Sequence, residues 1–173
     1  MKLKKRRFLD IKQYIDAGSY QVNVMWRYLD DHIKRTEIDI DPPYQRAHVW
    51  TDQQRTAYVE HMLKGGVSGR DIYSNCPGWM ADFKGPHNVV DGKQRITTAL
   101  LFLDDKVRAF KRVCSDFEGK IPTDVSFIWH VNKLETQAEV MEWYLQLNAG
   151  GTPHEIEELN RVRRLLKKER NVK

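Results

Sequence analysis

The sequence predicts an α+β fold: a small mixed sheet with surrounding helices, closed by a C-terminal helical hairpin. Three observations carry that prediction. Short strand-like segments such as "HNVVD" and "VSFIWHV" lie between helical stretches. Two of the helical stretches open with capping boxes, so their starts are written into the chain. No internal repeat and no low-complexity linker divides the 173 residues, so we expect one compact domain over 1–173, with a core at about 8–168 and basic ends.

Taken in order, "FLDIKQYIDAG" and "MWRYLDDHIKR" read as short amphipathic N-terminal helices. "IDIDPPYQRAHVW" is extended, because Pro42 and Pro43 suit a strand end or edge and not a helix interior. "TDQQRTAYVEHMLKGG" is a helix, capped by Thr51 with Gln54 and stopped by Gly65 and Gly66. "RDIYSNCPGW" is a short strand and turn, "HNVVD" a strand, and Ile96 to Lys106 a helix with Ile96, Leu100 and Leu103 on one side. "RAFKRVCSDFEGKIPTD" is irregular. "VSFIWHV" alternates Val125, Phe127, Trp129 and Val131 on one face, as a half-buried strand does. "LETQAEVMEWYLQLNAGG" is helical, with Val140, Trp143, Tyr144 and Leu147 at core spacing and Gly150–Gly151 as its stop. The last helix starts with Thr152 as cap, Pro153 in its first turn and Glu155 closing a second capping box.

Composition limits the function classes. Apolar residues at 40% and charged residues at 31% fit a soluble globular chain, and no apolar run approaches a bilayer-spanning length. The basic start "MKLKKRRFLD" lacks a following hydrophobic segment, so no signal peptide is expected. Cys76 and Cys114 stand far apart with no CxxC spacing, which favours free thiols and a cytoplasmic setting, the host cytoplasm if a phage encodes the chain. The net charge of +5 is unevenly distributed: residues 1–7 and 161–173 together carry +11, so the middle carries −6. Contact with a polyanion such as DNA is therefore expected at the ends, if anywhere, with a solvated basic helix end as the plain alternative.

"VDGKQRITT" is the chemistry-bearing stretch. A strand delivers Asp91; Gly92 permits a sharp turn and a close approach of backbone to ligand. The helix that follows offers unsatisfied N–H groups and a favourable dipole to an anion. Arg95 adds a fork for phosphate oxygens, Lys93 a mobile positive charge, and Thr97 and Thr98 hydroxyl donors. A carboxylate beside phosphate needs a cation, and Mg²⁺ held by Asp91 plus phosphate oxygens supplies one. The plain alternative is a strand–turn–helix with solvated Lys and Arg. In "PPYQRAHVW", Gln45 and Arg46 repeat the Gln94–Arg95 pair, and Tyr44 and Trp50 offer rings to a base or to the core. "LNAGGTPHE" reads either as a helix–helix corner or as a further pocket loop with Asn148 as a polar contact. There is no P-loop, no GxGxxG, no HExxH, no GxSxG and no Cys/His set at zinc spacing.

With these residues in place, "IDPPYQRAHVW", "VDGKQR" and "LNAGGTP" together resemble, in order and spacing, the N-terminal domain of GmrSD-type restriction proteins, within the ParB/sulfiredoxin superfamily. "GGVSGRDIYSNCPGW" and the capped last helix look like a stand-alone, phage- or prophage-borne branch. The resemblance spans about 8–168 and implies a ParB/sulfiredoxin-like fold. It implies an Asp-Gly-x-Gln-Arg corner that binds nucleotide phosphates, with NTP hydrolysis coupled to cleavage of modified DNA by a separate nuclease domain. By position, Asp91, Gly92, Gln94 and Arg95 become the primary site, Tyr44, Gln45 and Arg46 a second wall, and Asn148, Gly150 and Gly151 a third contribution. Lys93 departs from the pattern, standing where another Gln is common. The chain also leaves no room for an HNH-type nuclease, so a separate nuclease or modification partner is expected.

The leading expectation is Mg²⁺-dependent hydrolysis of a nucleoside triphosphate or phosphate ester. Arg95 and Arg46 stabilise phosphate charge, Asp91 holds the metal or orients water, and Gln94 positions one of them. Two alternatives stand beside it: a metal-dependent DNA nuclease, which the acidic middle disfavours, and a non-catalytic DNA-binding or nucleotide-sensing adaptor that uses the basic ends.

Overall fold

The computed structural model describes residues 19–45, 50–80, 85–148 and 156–170. The N-terminal helix expected before residue 19, Arg46, Gly150, Gly151 and the cap at Thr152 lie outside the described residues. Five strands, β1 (Tyr20–Met25), β2 (Ile38–Asp39), β3 (Asp71–Asn75), β4 (His87–Asp91) and β5 (Ser126–Asn132), form one sheet in the order β1-β5-β3-β4-β2. The pairs β1/β5 and β3/β4 are antiparallel, while β5/β3 and β4/β2 are parallel, so the sheet is mixed as expected. Around it lie α1 (Leu29–Arg35), α2 (Asp52–Leu63), α3 (Lys93–Leu103), α4 (Gln137–Leu147) and α5 (Ile156–Arg170). Among the described residues no helix is long and apolar enough to cross a membrane.

Where local signals set an element, the expectation holds. Thr51 accepts from the Gln54 N–H while Gln54 returns a bond to the Thr51 N–H, opening α2, and Gly65 ends that region at φ +80°. Thr136 and Glu139 make the same reciprocal cap on α4. On β5, Phe127, Trp129 and Val131 turn into one core face, as their alternation predicts.

Three elements differ from expectation. Tyr20–Met25, which no expected strand covers, pairs with Ser126 to Val131 of β5, and a 3-10 turn at Trp26–Tyr28 precedes α1. Helix α3 starts at Lys93, not Ile96, because Gly92 at φ +108° turns the chain directly off β4; it ends at Leu103, followed by Asp105 at φ +61°. Among the described residues of "IDIDPPYQRAHVW", Ile38–Asp39 alone pair in the sheet. The Asp39 carboxylate then accepts the Asp41 N–H, and Gln45 N–H closes a turn on Pro42 O at 2.8 Å.

The sheet is covered on both faces. Helices α2 and α3 and the Trp26–Leu29 turn pack Trp26, Leu29, Val59, Met62, Ile96, Ala99 and Phe102 against Ile72, Val89, Phe127 and Trp129. On the other face α4 and α5 pack Val140, Met141, Trp143, Tyr144, Val162 and Leu166 against Val90 and Tyr44. Between these layers the Trp26 indole N–H and Thr98 Oγ1 have no partner among the described residues, but one polar chain is matched link by link. The Trp129 indole N–H donates to Ser74 Oγ at 2.8 Å, Ser74 lies 3.0 Å from His87 Nε2, and His87 Nδ1 lies 3.3 Å from Thr36 O. A neutral ring with its proton on Nδ1 satisfies every link of that chain.

Candidate functional site

The site is organised by the end of β4. Opposite β3, Asn88 and Val89 pair with Asn75 and Ser74, but the next partner of β3, Tyr73, is Asp91; β4 carries one extra residue, Val90, at a bulge. The bulge brings Asp91 level with Tyr73, and Gly92 then turns the chain into α3. A Cβ on Gly92 would lie 2.4 Å from Ile72 Cδ1, so this corner admits glycine alone without rearrangement. Gly92 has no side chain with which to cap the helix. Arg95, one turn in, donates to the Asp91 carboxylate at 2.6 Å, with side-chain exposures of 20% and 38%. The pair therefore faces outward at the start of α3 and is reachable by a ligand.

Residues 93 and 94 point the other way. Lys93, expected as a mobile cation, is buried and ion-paired with the Asp41 carboxylate. That is a correction with a simple cause: β2 runs parallel beside β4, and the turn after β2 carries Asp41 under the first turn of α3. Gln94 is buried and accepts the Trp50 N–H at 3.2 Å. Thr97 is half-buried; Thr98 is fully buried, with no partner for Oγ1 among the described residues.

Tyr44 and Gln45, the described part of the expected second wall, meet the same corner from behind. The Gln45 side-chain amide donates to Val89 O at 3.1 Å and Val90 O at 2.7 Å, and the Tyr44 hydroxyl donates to Val89 O at 3.1 Å. Tyr44 is 1% exposed and its ring packs 5.6 Å from Tyr144, so its face is taken by the core and is closed to a base. Trp50 sits edge-on to Tyr58 at 5.2 Å. Tyr44 and Gln45 thus hold the bulge in shape: they saturate the carbonyls that the irregular ladder leaves over. Asn148 caps α4 by donating to Tyr144 O at 2.7 Å.

Other residues complete the site. Arg161 of α5 donates to Pro43 O at 2.8 Å, Tyr44 O at 3.2 Å and Gln45 O at 2.8 Å. One of the basic residues expected to face a polyanion is thus bound to the turn that carries Tyr44 and Gln45. Arg161→Ala is expected to lower stability by about 1–2 kcal/mol, and Arg161→Lys to recover little of it, since a point charge cannot serve three carbonyls at once. Urea melts of the three proteins check this, and a fully restored Lys variant contradicts it.

Strand register adds a polar row. Gln21 pairs with His130, His130 with Tyr73, and Tyr73 with Asp91, so the four residues cross the sheet on one face. The His130 ring stacks on Tyr73 at 4.6 Å, holds the Asp71 carboxylate through Nε2 at 2.7 Å, and meets the Gln21 amide at Nδ1 at 3.0 Å. With the amide donating, the ring is a neutral imidazole whose Nε2–H goes to Asp71. Burial, then Asp71 and Asp91, raise the Tyr73 hydroxyl above its ordinary pKa, with Arg95 opposing. Beside this row opens a cleft of about 340 Å³ lined by Gln21, His130, Asn132 and Trp143. Sequence reasoning missed these residues. The alternation of β5 puts His130 opposite Trp129, but nothing local tells which strands lie beside it.

Among the described residues no three His, Cys, Asp or Glu side chains converge as a metal cage. Asp71 and Asp91 both act on Tyr73 as separate carboxylates, Asp71 paired with His130 and Asp91 with Arg95.

The family model of the GmrSD restriction endonuclease, N-terminal domain, matches residues 26–121, which include Tyr44, Gln45 and the entire Asp91–Arg95 corner. No curated protein and no solved structure matches the chain. The family is one of restriction endonucleases, which ties the chain to a DNA-related role. By the extent of that match, more than half its length, the chain belongs to the GmrSD N-terminal domain family.

Proposed function

We propose that the protein binds a nucleoside triphosphate at the Asp91–Arg95 corner and hydrolyses a phosphate ester there, as the nucleotide-driven part of a DNA-directed restriction or modification system in the cytoplasm. One observation carries the reading: a partly exposed carboxylate and guanidinium, 2.6 Å apart, sit across a left-handed glycine at the start of an eleven-residue helix. Helix N–H groups and the Arg95 fork suit phosphate oxygens. Phosphate competes with Asp91 for Arg95, so binding frees the carboxylate for its second task. Asp91 would be the residue to hold Mg²⁺, which would supply charge neutralisation to the phosphates. Asp91 then orients water, Arg95 stabilises charge as it develops, and Gln94, fixed by Trp50, keeps the first helical turn in place. DNA cleavage or modification falls to a separate partner.

Phosphate release from the four NTPs with Mg²⁺, with and without DNA, tests this. Arg95→Ala, shown to be folded by its melting curve, is expected to lose turnover about 100-fold. Equal turnover by the variant, or none by the wild type, removes the hydrolytic reading.

A further inference from the structure

The stretch "RAFKR", Arg108–Arg112, folds as a two-residue turn. Ala109 N–H bonds Arg112 O at 2.8 Å and Arg112 N–H bonds Ala109 O at 2.9 Å. Both central residues, Phe110 at φ +52° and Lys111 at φ +64°, are left-handed, the geometry for which Asn-Gly is the usual choice. Bulky side chains in that region are a conformational cost, and such costs gather where side chains serve a purpose other than folding. The turn is held in place all the same. Phe110 N–H donates to the Glu60 carboxylate at 2.8 Å, Arg108 donates to Lys111 O at 3.2 Å, and the Lys64 ammonium lies 5.2 Å from the centre of the Phe110 ring.

What the turn presents is a ring among cations. Phe110 is 40% exposed, and Arg108, Lys111 and Arg112 are exposed, with no carboxylate paired to any of the three among the described residues. Of the acids around the turn, Glu60 accepts the Phe110 N–H, Asp104 pairs with Lys106 and Asp105 accepts the Ser115 N–H, while Glu118 lines a cleft beside the ring. That cleft, of about 320 Å³, is lined by Leu63, Phe102, Phe117 and Ile121, with Glu118 and Lys120 also on its wall. Cations at fixed positions suit phosphates, and an exposed ring beside a cleft suits an unpaired base. We propose that the Arg108–Arg112 turn is a DNA contact, with Arg108, Lys111 and Arg112 on backbone phosphates and Phe110 stacked on a base of a single-stranded or locally opened segment. It lies at the far end of α3 from Asp91, about 16 Å along a helix of that length, so the contact does not depend on nucleotide hydrolysis at the corner.

The test is binding of a fluorescent single-stranded 20-mer and of the matching duplex across 50–200 mM salt. Wild type is expected to bind the single strand more tightly, with affinity falling as salt rises. The triple variant Arg108→Ala, Lys111→Ala, Arg112→Ala is expected to lose about tenfold or more in affinity, with a shallower salt slope by about two. The double variant Phe110→Asn, Lys111→Gly separates contact from folding: its melting temperature is expected to rise by about 2–4 °C as the turn is relieved, while single-strand affinity falls about tenfold. The proposal is overturned if wild type does not bind DNA at 50 mM salt, or if both variants bind as wild type does. It is equally overturned if only neutralising the basic residues of 161–173 abolishes binding, or if the turn binds anionic phospholipid vesicles and not DNA.

Discussion

Gly92→Ala is expected to destabilise the protein by about 4 kcal/mol, roughly half of it from backbone strain and half from overpacking. The backbone at Gly92 has φ +108° and ψ 2°, which a residue with a Cβ reaches only at a cost. The new methyl would also fall 2.4 Å from Ile72 Cδ1 and 3.4 Å from Ile72 Cα. Ile72 cannot step aside: it is fully buried in the main core layer, on a strand with neighbours on both sides. Relief must therefore come from moving α3 off β4, which separates Asp91 from Arg95. Denaturant titration measures the loss, and a cost below about 1 kcal/mol shows that the corner is more pliant than packed interiors usually are.

Acid is expected to remove nearly as much. His87 is 4% exposed, and burial lowers its pKa to about 4, with the bond to Thr36 O opposing the shift and His32 adding to it. In the unfolded chain the ring titrates near pH 6.5. Between those values the unfolded state holds a proton that the folded state refuses, so stability is fully present above about pH 6.5 and declines as the pH falls toward 4. The full decline is about 3 kcal/mol. Half-buried His32, its pKa also lowered by burial, works in the same direction. Comparison of wild type with His87→Gln isolates the effect: the variant's stability is expected to fall less steeply with pH, by up to one proton's worth of slope. Identical slopes overturn the assignment. If the Gln variant does not fold, NMR titration of the His87 ring in the wild type decides: a midpoint near 6.5 would overturn it too.

What could be read from the sequence was whatever a few adjacent residues determine. Thr51 with Gln54 opened α2 because a capping box is closed within one turn. That Asp91 and Arg95 meet across Gly92 was legible because an i,i+4 pair across a glycine is a local geometry. The alternation in β1, Tyr20, Val22 and Val24 against Gln21 and Asn23, was present too, but six residues without a visible partner do not announce a strand. Partners brought together by pairing were beyond reach. Lys93 looked free because Asp41 reaches it through a parallel strand contact of only two residues. Gln21, Asp71, Tyr73 and His130 meet only because the register of β1, β5, β3 and β4 lines them up. Arg161 looked like part of a basic tail, since carbonyl acceptors leave no mark in a charge count.

The strand order also bears on where this protein can be cut. The recognised family segment runs from residue 26 to 121, yet the strand joining β1 to β3 is β5, at Ser126–Asn132. A fragment trimmed to the recognised segment would keep β3, β4 and β2 but leave β3 with a bare edge, and it would strip Phe127 and Trp129 from the main core layer. It would also lose Arg161, and with it the tether on the turn behind Asp91. Boundaries drawn by sequence likeness therefore fall inside the cooperative unit. Expression trials on this fold should start no later than Tyr20 and run through α5, with shorter fragments expected to aggregate through the exposed β3 edge.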